Sequence, residues 1–354
     1  MVGGVLIERT ALVQNFLHFF GDAQPGQGRA LPGQGVAGQA PGQGLRGGGQ
    51  IENRTLGTHE ATVFRIQNHA AARREPRLRV LRRPHQGIAA TLNAGLAAAR
   101  GRYLARMDAD DIAHPERLAR QVAHLDADPG LHLSAGMVDF GGDAVRAGGF
   151  AHFVDWQNSL CSPEDIARSR FRDTPVCHPS VMFRREAVER WGSYADGDFA
   201  EDWELWLRWL DASARLEKLP LRLLTWNDPP GRATRADARY REAACNELRA
   251  FWLARELARS NPFHPEVWVL GAGRVARRRL APLWRLGVRP AAYIDIDPRK
   301  IGNRPGGIAV LPRAALPGPG RCRILNALTA HGAAEEAARW LSEAGYGPED
   351  WWLS

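Results

Sequence analysis

The chain has 354 residues, of which 44% are hydrophobic, and this is enough for two or three domains with apolar cores. Its net charge of +8 favours acidic partners, such as nucleotide diphosphates, anionic glycans or an anionic membrane surface. The basic residues are dispersed and no RNA or DNA motif occurs, so the sequence argues against nucleic-acid binding. The four cysteines lie far apart and form no metal-type pair, which favours reduced thiols in a cytoplasmic protein.

Neither a membrane span nor a signal peptide is predicted. No stretch reaches the ~18 uninterrupted apolar residues that a spanning helix needs. The apolar first twenty residues are interrupted by Glu8 and Arg9 and have no basic start. We therefore expect a cytoplasmic protein, and peripheral contact with the inner face of the membrane stays open.

Residues 1–75 differ in character from the rest of the chain. The sequence Pro-Gly-Gln-Gly occurs at 25–28, 32–35 and 41–44. Gly and Gln at this density cannot bury enough apolar surface to offset chain entropy, so a flexible coil is predicted.

The next segment predicts a strand followed by a helix. Leu78–Leu81 is a short apolar strand. Gly87 begins a helix over Ile88–Arg100, and Gly101 ends it. The alanines of this helix would let it pack closely against a sheet.

Three carboxylates follow the next predicted strand, Tyr103–Met107. They are Asp108, Asp110 and Asp111, and a helix over Pro115–Leu125 comes after them. Ligands of α/β sheets bind at the carboxyl ends of strands, and clustered like charges require a neutralising positive charge. Mg²⁺ or Mn²⁺ is the expected cation, because hard cations prefer carboxylate and phosphate oxygens. The alternative is that Asp110 and Asp111 only cap the helix.

Two further polar motifs lie downstream of a core strand predicted at Leu131–Val138 and a loop predicted over 139–161. His178 opens a His-Pro loop that enters a strand. Glu201 and Asp202 begin an amphipathic helix, for which Asp202 as an N-cap is the simplest reading. The residues of this helix that are expected to face inward are Leu205, Trp206, Trp209 and Leu210.

The C-terminal part predicts a separate Rossmann-like α/β module over residues 265–354, after a helix at Arg235–Ser260 and a linker at Asn261-Pro262. A strand ends in Gly271-Ala-Gly273, a helix follows, and Asp295 comes 22 positions after Gly273. This spacing fits the dinucleotide-binding fingerprint. About ninety residues are enough for one mononucleotide half only. NAD binding and a packing role both stay open.

The order of the motifs between His85 and Arg208 resembles the family 2 glycosyltransferases, nucleotide-sugar enzymes of the GT-A fold. The resemblance covers roughly residues 76–240 and implies a GT-A domain over 76–260. It implies metal binding by Asp110 with Asp108 and Asp111, a general base at Asp202 and an orienting role for Glu201. Nucleotide-sugar contacts are implied for Asn93, Asp108, His178 and Arg208.

Several of these residues keep a second interpretation. Asn93 could simply brace the adjacent loop, and His178 could be a satisfied structural histidine. Arg208 could pair with Glu204 rather than with the diphosphate. Arg106, in the strand before the carboxylates, is expected to be structural or on the surface.

The first β-α-β unit of the family is not recognisable in residues 1–75. Three explanations compete: a true flexible leader, a diverged nucleotide half-site, and a reading-frame error upstream of about Arg77. We favour the third, because the character of the chain changes abruptly near residues 75–77 and the preceding length fits the missing unit.

The resemblance implies an inverting, metal-dependent glycosyltransferase. It would move a sugar from a nucleotide-diphosphate sugar to a hydroxyl on a glycan, a lipid-linked glycan or a protein, as in cell envelope polysaccharide biosynthesis. The alternative is a catalytically inactive GT-A scaffold or a nucleotide-binding regulatory protein.

Overall fold

The computed structural model describes residues 81, 83–143, 147–229, 235, 237–330 and 332–354. The N-terminal segment 1–75 lies outside this part of the chain. So does most of the strand predicted at Leu78–Leu81, and Leu81 itself is not in a strand. The described residues form a mixed α/β structure with two sheets.

The first sheet carries the predicted carboxylate motif. Its strand order is β1-β4-β3-β5-β2, with β3 and β5 parallel and the other neighbours antiparallel. The core strand expected at Leu131–Val138 is confirmed as β3, with its ends about two residues later. The strands are β1 Tyr103–Ala105, β2 Ile112–Ala113, β3 Leu133–Phe140, β4 Met182–Arg184 and β5 Leu216–Trp226.

Helices cover this sheet, and four of them were predicted: those after Gly87, after Pro115, at Glu201 and within Arg235–Ser260. In the part of the chain that the structure describes, no helix combines the length and the apolar content needed to cross a bilayer. The helices are α1 Ile88–Ala98, α2 Arg117–Ala127, α3 Gly148–Ser159, α4 Pro163–Ser169, α5 Arg185–Trp191, α6 Glu201–Asp211 and α7 Glu242–Ser260.

The loop predicted over 139–161 is wrong, because most of this segment is the helix α3. Its two N-terminal glycines have low helix propensity, so packing decides the structure. Val154 is buried. Asn158 bonds both backbone groups of Val138, accepting from its N–H at 2.9 Å and donating to its carbonyl at 2.8 Å. These contacts fasten α3 along β3.

The helix predicted at Arg235–Ser260 begins later, at Glu242. A short 3-10 turn, Ala238–Tyr240, comes before it. The side chain of Asp237 accepts from the backbone N–H of Arg239 at 3.0 Å. Such local side-chain bonds compete with the helix, and here they set its start.

The second sheet is larger than the predicted mononucleotide half. Its five strands are all parallel, in the order β10-β9-β6-β7-β8. Counted from β6 as the first strand, this is the doubly wound order 3-2-1-4-5. It fits into about ninety residues because short 3-10 turns replace helices on both sides of β8. The elements are β6 Glu266–Leu270, α8 Arg274–Arg285, β7 Arg289–Ile294, β8 Val310–Leu311, β9 Ile324–Asn326, α9 Ala333–Glu343 and β10 Trp351–Leu353.

Helix α6 is buried on two faces, between two apolar clusters. Trp206 and Trp209 pack into the cluster under the first sheet. Trp203 and Leu207 belong to a second cluster, which continues through α7 and α8 into the second sheet. Residues 261–265 therefore connect two units that share one core, rather than separating them.

A substitution in the shared cluster should destabilise both units together. Leu253, in α7, is fully buried in this cluster. We expect Leu253→Ala to lower the free energy of unfolding by about 2–5 kcal/mol, because it removes buried methyl groups and leaves a cavity. Differential scanning calorimetry should show one cooperative transition at a lower temperature. Leu286→Ala, at a side chain that is 51% exposed, is the matched control. A second transition that Leu253→Ala leaves unmoved would contradict the shared core.

Candidate active site

The three carboxylates predicted to bind a metal lie together after β1. One carboxylate oxygen from each of Asp108, Asp110 and Asp111 lies within 4.8 Å of the others. Asp111 is buried, and Asp110 is exposed. The strand end thus presents a set of hard oxygen donors, the chemistry that suits Mg²⁺ or Mn²⁺.

The segment that carries the carboxylates is held by Asn227, which directly follows β5. The helix after this segment does not hold it. The backbone N–H of Asn227 donates to Asp111 Oδ1 at 2.9 Å, and its side chain donates to the carbonyl of Asp110 at 2.6 Å. Helix α2 begins after Glu116, and no side chain caps it. The alternative that Asp110 and Asp111 are helix caps is therefore wrong.

Arg106 is buried beside the site, so of its two expected placements the structural one agrees with the structure and the surface one does not. Its side chain is 9% exposed, and its Nη1 lies 2.5 Å from Asp108 Oδ2. Burial disfavours its charged form, but Asp108 outweighs this and raises the pKa of Arg106. Strand alternation could have revealed it, because Leu104, Arg106 and Asp108 share one side of an extended chain.

Asp202 lies in the first turn of α6 but is not its N-cap, which is Ala200. It is partly exposed, and its Oδ1 accepts from the backbone N–H of Trp203 at 2.8 Å. Burial and the adjacent carboxylate of Glu201 raise the pKa of Asp202 to about 7, against the lowering effects of Trp203 N–H and Arg106. A carboxylate with a pKa near neutrality can accept a proton at physiological pH.

Glu201 is buried, and its carboxylate contacts neighbouring side chains rather than solvent. Tyr240, in the turn before α7, donates to Glu201 Oε2 at 2.7 Å. His178 Nδ1 lies 3.9 Å from the other carboxylate oxygen. This placement agrees with the orienting role expected for Glu201. Tyr240 has no motif in the sequence that would have singled it out.

His178 is enclosed by the protein. Its Nε2 forms a 2.8 Å hydrogen bond with the hydroxyl of Tyr194, and its Nδ1 faces Glu201. Burial, and then the charge of Arg106, hold the pKa of His178 well below its ordinary value. The ring is therefore neutral at pH 7. Of its two interpretations, the structure favours the satisfied structural histidine over direct contact with a nucleotide sugar.

Asn93 and Arg208 are also engaged by the protein. The amide of Asn93 donates to the carbonyl of Tyr194 at 2.8 Å and accepts from its N–H at 3.0 Å. Arg208 contacts both carboxylate oxygens of Glu204, at 2.9 and 3.0 Å, and the carbonyl of Ser193 at 2.7 Å. Both residues brace the loop before α6, and the structure gives them no group directed at a nucleotide sugar.

Comparison with known proteins gives matches over part of the chain. Residues 57–192 match the model of glycosyl transferase family 2. This part of the chain is therefore similar to the family 2 glycosyltransferases. The match begins at residue 57, upstream of the domain start expected near residue 76. It ends before Glu201 and Asp202.

Two curated relatives show similar coverage. The amylovoran biosynthesis glycosyltransferase AmsE of Erwinia amylovora is 32% identical over 136 residues, which are 38% of this chain and 48% of AmsE. EpsE of Bacillus subtilis (strain 168) is 31% identical over 158 residues, 43% of this chain and 53% of EpsE. The chain thus spans about half the length of these relatives.

Among solved structures, residues 1–349 of S. aureus TarS in complex with UDP-GlcNAc are similar to this chain. The identity is 17%, the TM-score is 0.40, and the match covers 59% of this chain and 64% of TarS. Because this score is below 0.5, the family assignment rests on the sequence matches and not on this likeness.

The predicted dinucleotide turn forms, but its acidic residue is already used by the turn. Gly271 adopts φ +100°, a conformation that favours glycine. Asp295 Oδ2 accepts from the N–H of Ala272 at 3.0 Å and pairs with Lys300 at 3.0 Å, and its Oδ1 accepts from Asp297 N–H at 3.0 Å. This geometry favours the packing role of the module over NAD binding.

The raised pKa of Asp202 predicts a pH-dependent effect on stability. A carboxyl group whose pKa is raised by folding stabilises the protein fully below its unfolded value of 3.8, and this contribution is lost as pH rises through the folded value near 7. We therefore expect Asp202→Asn to raise the melting temperature relative to the wild type by an amount that grows from about pH 4 to about pH 8. Circular dichroism melting curves measure it.

The matched control for this measurement is Asp198→Asn, at an exposed carboxylate four residues before Asp202. Any pH slope that the control shows is subtracted. A difference between Asp202→Asn and the wild type that stays constant with pH would show that folding does not perturb this carboxyl group.

Proposed function

We propose that this protein is an inverting, metal-dependent glycosyltransferase. It transfers a sugar from a nucleotide-diphosphate sugar to a hydroxyl group on a glycan or a lipid-linked glycan. The observation that carries this proposal is that Asp202, at the start of α6, comes close to the three carboxylates that follow β1. These are Asp108, Asp110 and Asp111. Both Asp108 and Asp202 lie close enough to Tyr194 and Arg106 to act electrostatically on them.

The carboxylates after β1 and the carboxylate of Asp202 suit two different tasks, metal binding and proton transfer. Asp110 and Asp108, supported by Asp111, would hold Mg²⁺ or Mn²⁺, which neutralises the diphosphate as it leaves. Asp202 would accept the proton of the acceptor hydroxyl group. A partly exposed carboxylate with a pKa near 7 is suited to take a proton from a hydroxyl group.

The proposed transfer is a single displacement. The acceptor oxygen attacks the anomeric carbon as its proton passes to Asp202, and a new carbon–oxygen bond forms. The bond between the anomeric carbon and the diphosphate breaks, and the nucleoside diphosphate leaves with the electron pair. Attack from the face opposite the leaving group inverts the configuration.

The names of the relatives support an acceptor class. AmsE is named for amylovoran biosynthesis. We therefore extend to this chain an acceptor hydroxyl on a growing cell envelope polysaccharide. The net charge of +8 agrees with anionic glycans or with a glycan at an anionic membrane surface.

A donor screen tests the proposal. The full chain is incubated with a panel of nucleotide-diphosphate sugars and Mn²⁺, and nucleoside diphosphate release is measured. We expect release from at least one donor, abolished by a chelator and by Asp110→Ala, because the exposed carboxylate contributes to metal binding. Asp155→Ala, at an exposed carboxylate on α3, is the control and should retain activity. Absence of binding to any donor would favour the inactive scaffold.

Substitutions of Asp202 and Asp110 should impair different steps, transfer in the first case and donor binding in the second. We expect Asp202→Asn to keep its fold and donor affinity while transfer falls by roughly 10²-fold or more, the usual contribution of a general base. Asp110→Asn should instead weaken metal-dependent donor binding. Steady-state kinetics together with donor titration separate the two effects, and Asp198→Asn is the control. If Asp202→Asn leaves turnover per folded molecule unchanged, this assignment of the base is wrong.

A further inference from the structure

Arg106 is a buried cation beside the strand-end carboxylates of the site. Its guanidinium contacts Asp108 at 2.5 Å. Its charge also acts electrostatically on Asp202, Tyr194 and His178. It is therefore a buried cation that pairs with one carboxylate on the metal side and favours the ionised form of the proposed base.

The backbone of Arg106 is fixed on both sides. Its N–H donates to the carbonyl of Val181 at 3.0 Å. Its own carbonyl accepts from Arg117 Nη2 at 2.7 Å, and Arg117 is itself fully buried and bonded to Gln121 at 3.1 Å. A side chain on so constrained a backbone can hold its partners at a defined separation.

We propose that Arg106 is a positioning residue that fixes Asp108, on the metal and donor side, relative to Asp202, on the acceptor side. This role rests on the proposed sugar transfer. The reaction needs the leaving diphosphate and the attacking hydroxyl on opposite faces of one carbon, so the two carboxylates must keep one mutual geometry. A single cation that pairs with Asp108 and attracts Asp202 would favour this geometry and offset the repulsion between the two carboxylates.

The first test separates binding from turnover. Arg106→Gln removes the charge, and Arg106→Lys retains it. We expect Arg106→Gln to raise the Kd of the nucleoside diphosphate selected by the donor screen, with Mn²⁺, and to lower kcat, each by roughly 10-fold or more. Arg106→Lys should recover most of kcat. Arg184→Gln is the control, because Arg184 is equally buried but bonds the carbonyls of Leu131 and Asp128.

The second test does not depend on activity. Melting temperatures are measured for the wild type, Arg106→Gln, Asp202→Asn and the double variant at about pH 5 and pH 8. Opposite charges attract only when Asp202 is ionised, so Arg106→Gln should cost more at the higher pH. This extra loss should vanish in the Asp202→Asn background. The other groups that face Asp202, namely Glu201, Tyr194, Tyr240 and Cys245, are the same in all four proteins, so every contribution of theirs that does not depend on both substitutions cancels in the comparison.

The outcomes separate this inference from the proposed function. If the wild type binds and cleaves no donor, the proposed function fails, while the melting temperatures still decide whether Arg106 and Asp202 are coupled. Equal losses in both backgrounds at both pH values would overturn the role of Arg106. So would a loss of kcat that Arg106→Lys does not recover, or failure of both Arg106 variants to fold while Arg184→Gln folds.

Discussion

The packing of helix α6 on two faces is the constraint on which the rest of the structure depends. An isolated helix of eleven residues is marginal in water, and its first turn frays because its N–H groups lack partners. Here Trp206 and Trp209 anchor the helix under the first sheet, while Trp203 and Leu207 anchor it against the second. The first turn is thereby immobilised, and Asp202 keeps a fixed place without a side-chain cap.

The fixed turn creates an electrostatic problem that the surrounding residues solve. Glu201 is buried beside Asp202, and two adjacent carboxylates in a poorly hydrated place cannot both ionise freely. Tyr240 donates to Glu201 and Arg106 acts on Asp202, so each negative charge has its own compensating group. Burial, and then the charge of Glu201, still raise the pKa of Asp202, which is the property that a general base requires.

The sequence was sufficient for those parts of the site that local signals define. An apolar strand that runs into Asp108, and an acidic start of an amphipathic helix at Asp202, are patterns of neighbouring residues. The partners of Asn93 and His178 were not predictable in this way, because tertiary packing chooses them: Asn93 bonds Tyr194, which is 101 residues away. The burial of Arg106 was within reach of the sequence, because Leu104, Arg106 and Asp108 share one side of the extended chain, but the sequence analysis left a structural and a surface placement both open.

In the second sheet, the fold predicts nucleotide binding but the side chains of the turn do not favour it. Its strand order is that of nucleotide-binding proteins, yet its turn carboxylate is satisfied internally, so fold alone is a poor guide to its task. Its contacts suggest a mechanical one. Arg279 of α8 donates to the carbonyl of Arg172, which also accepts from Arg249 of the preceding helix α7 at 3.1 Å. Both bonds fix the segment that leads to His178. The module therefore helps to hold this segment in place, together with helix α7.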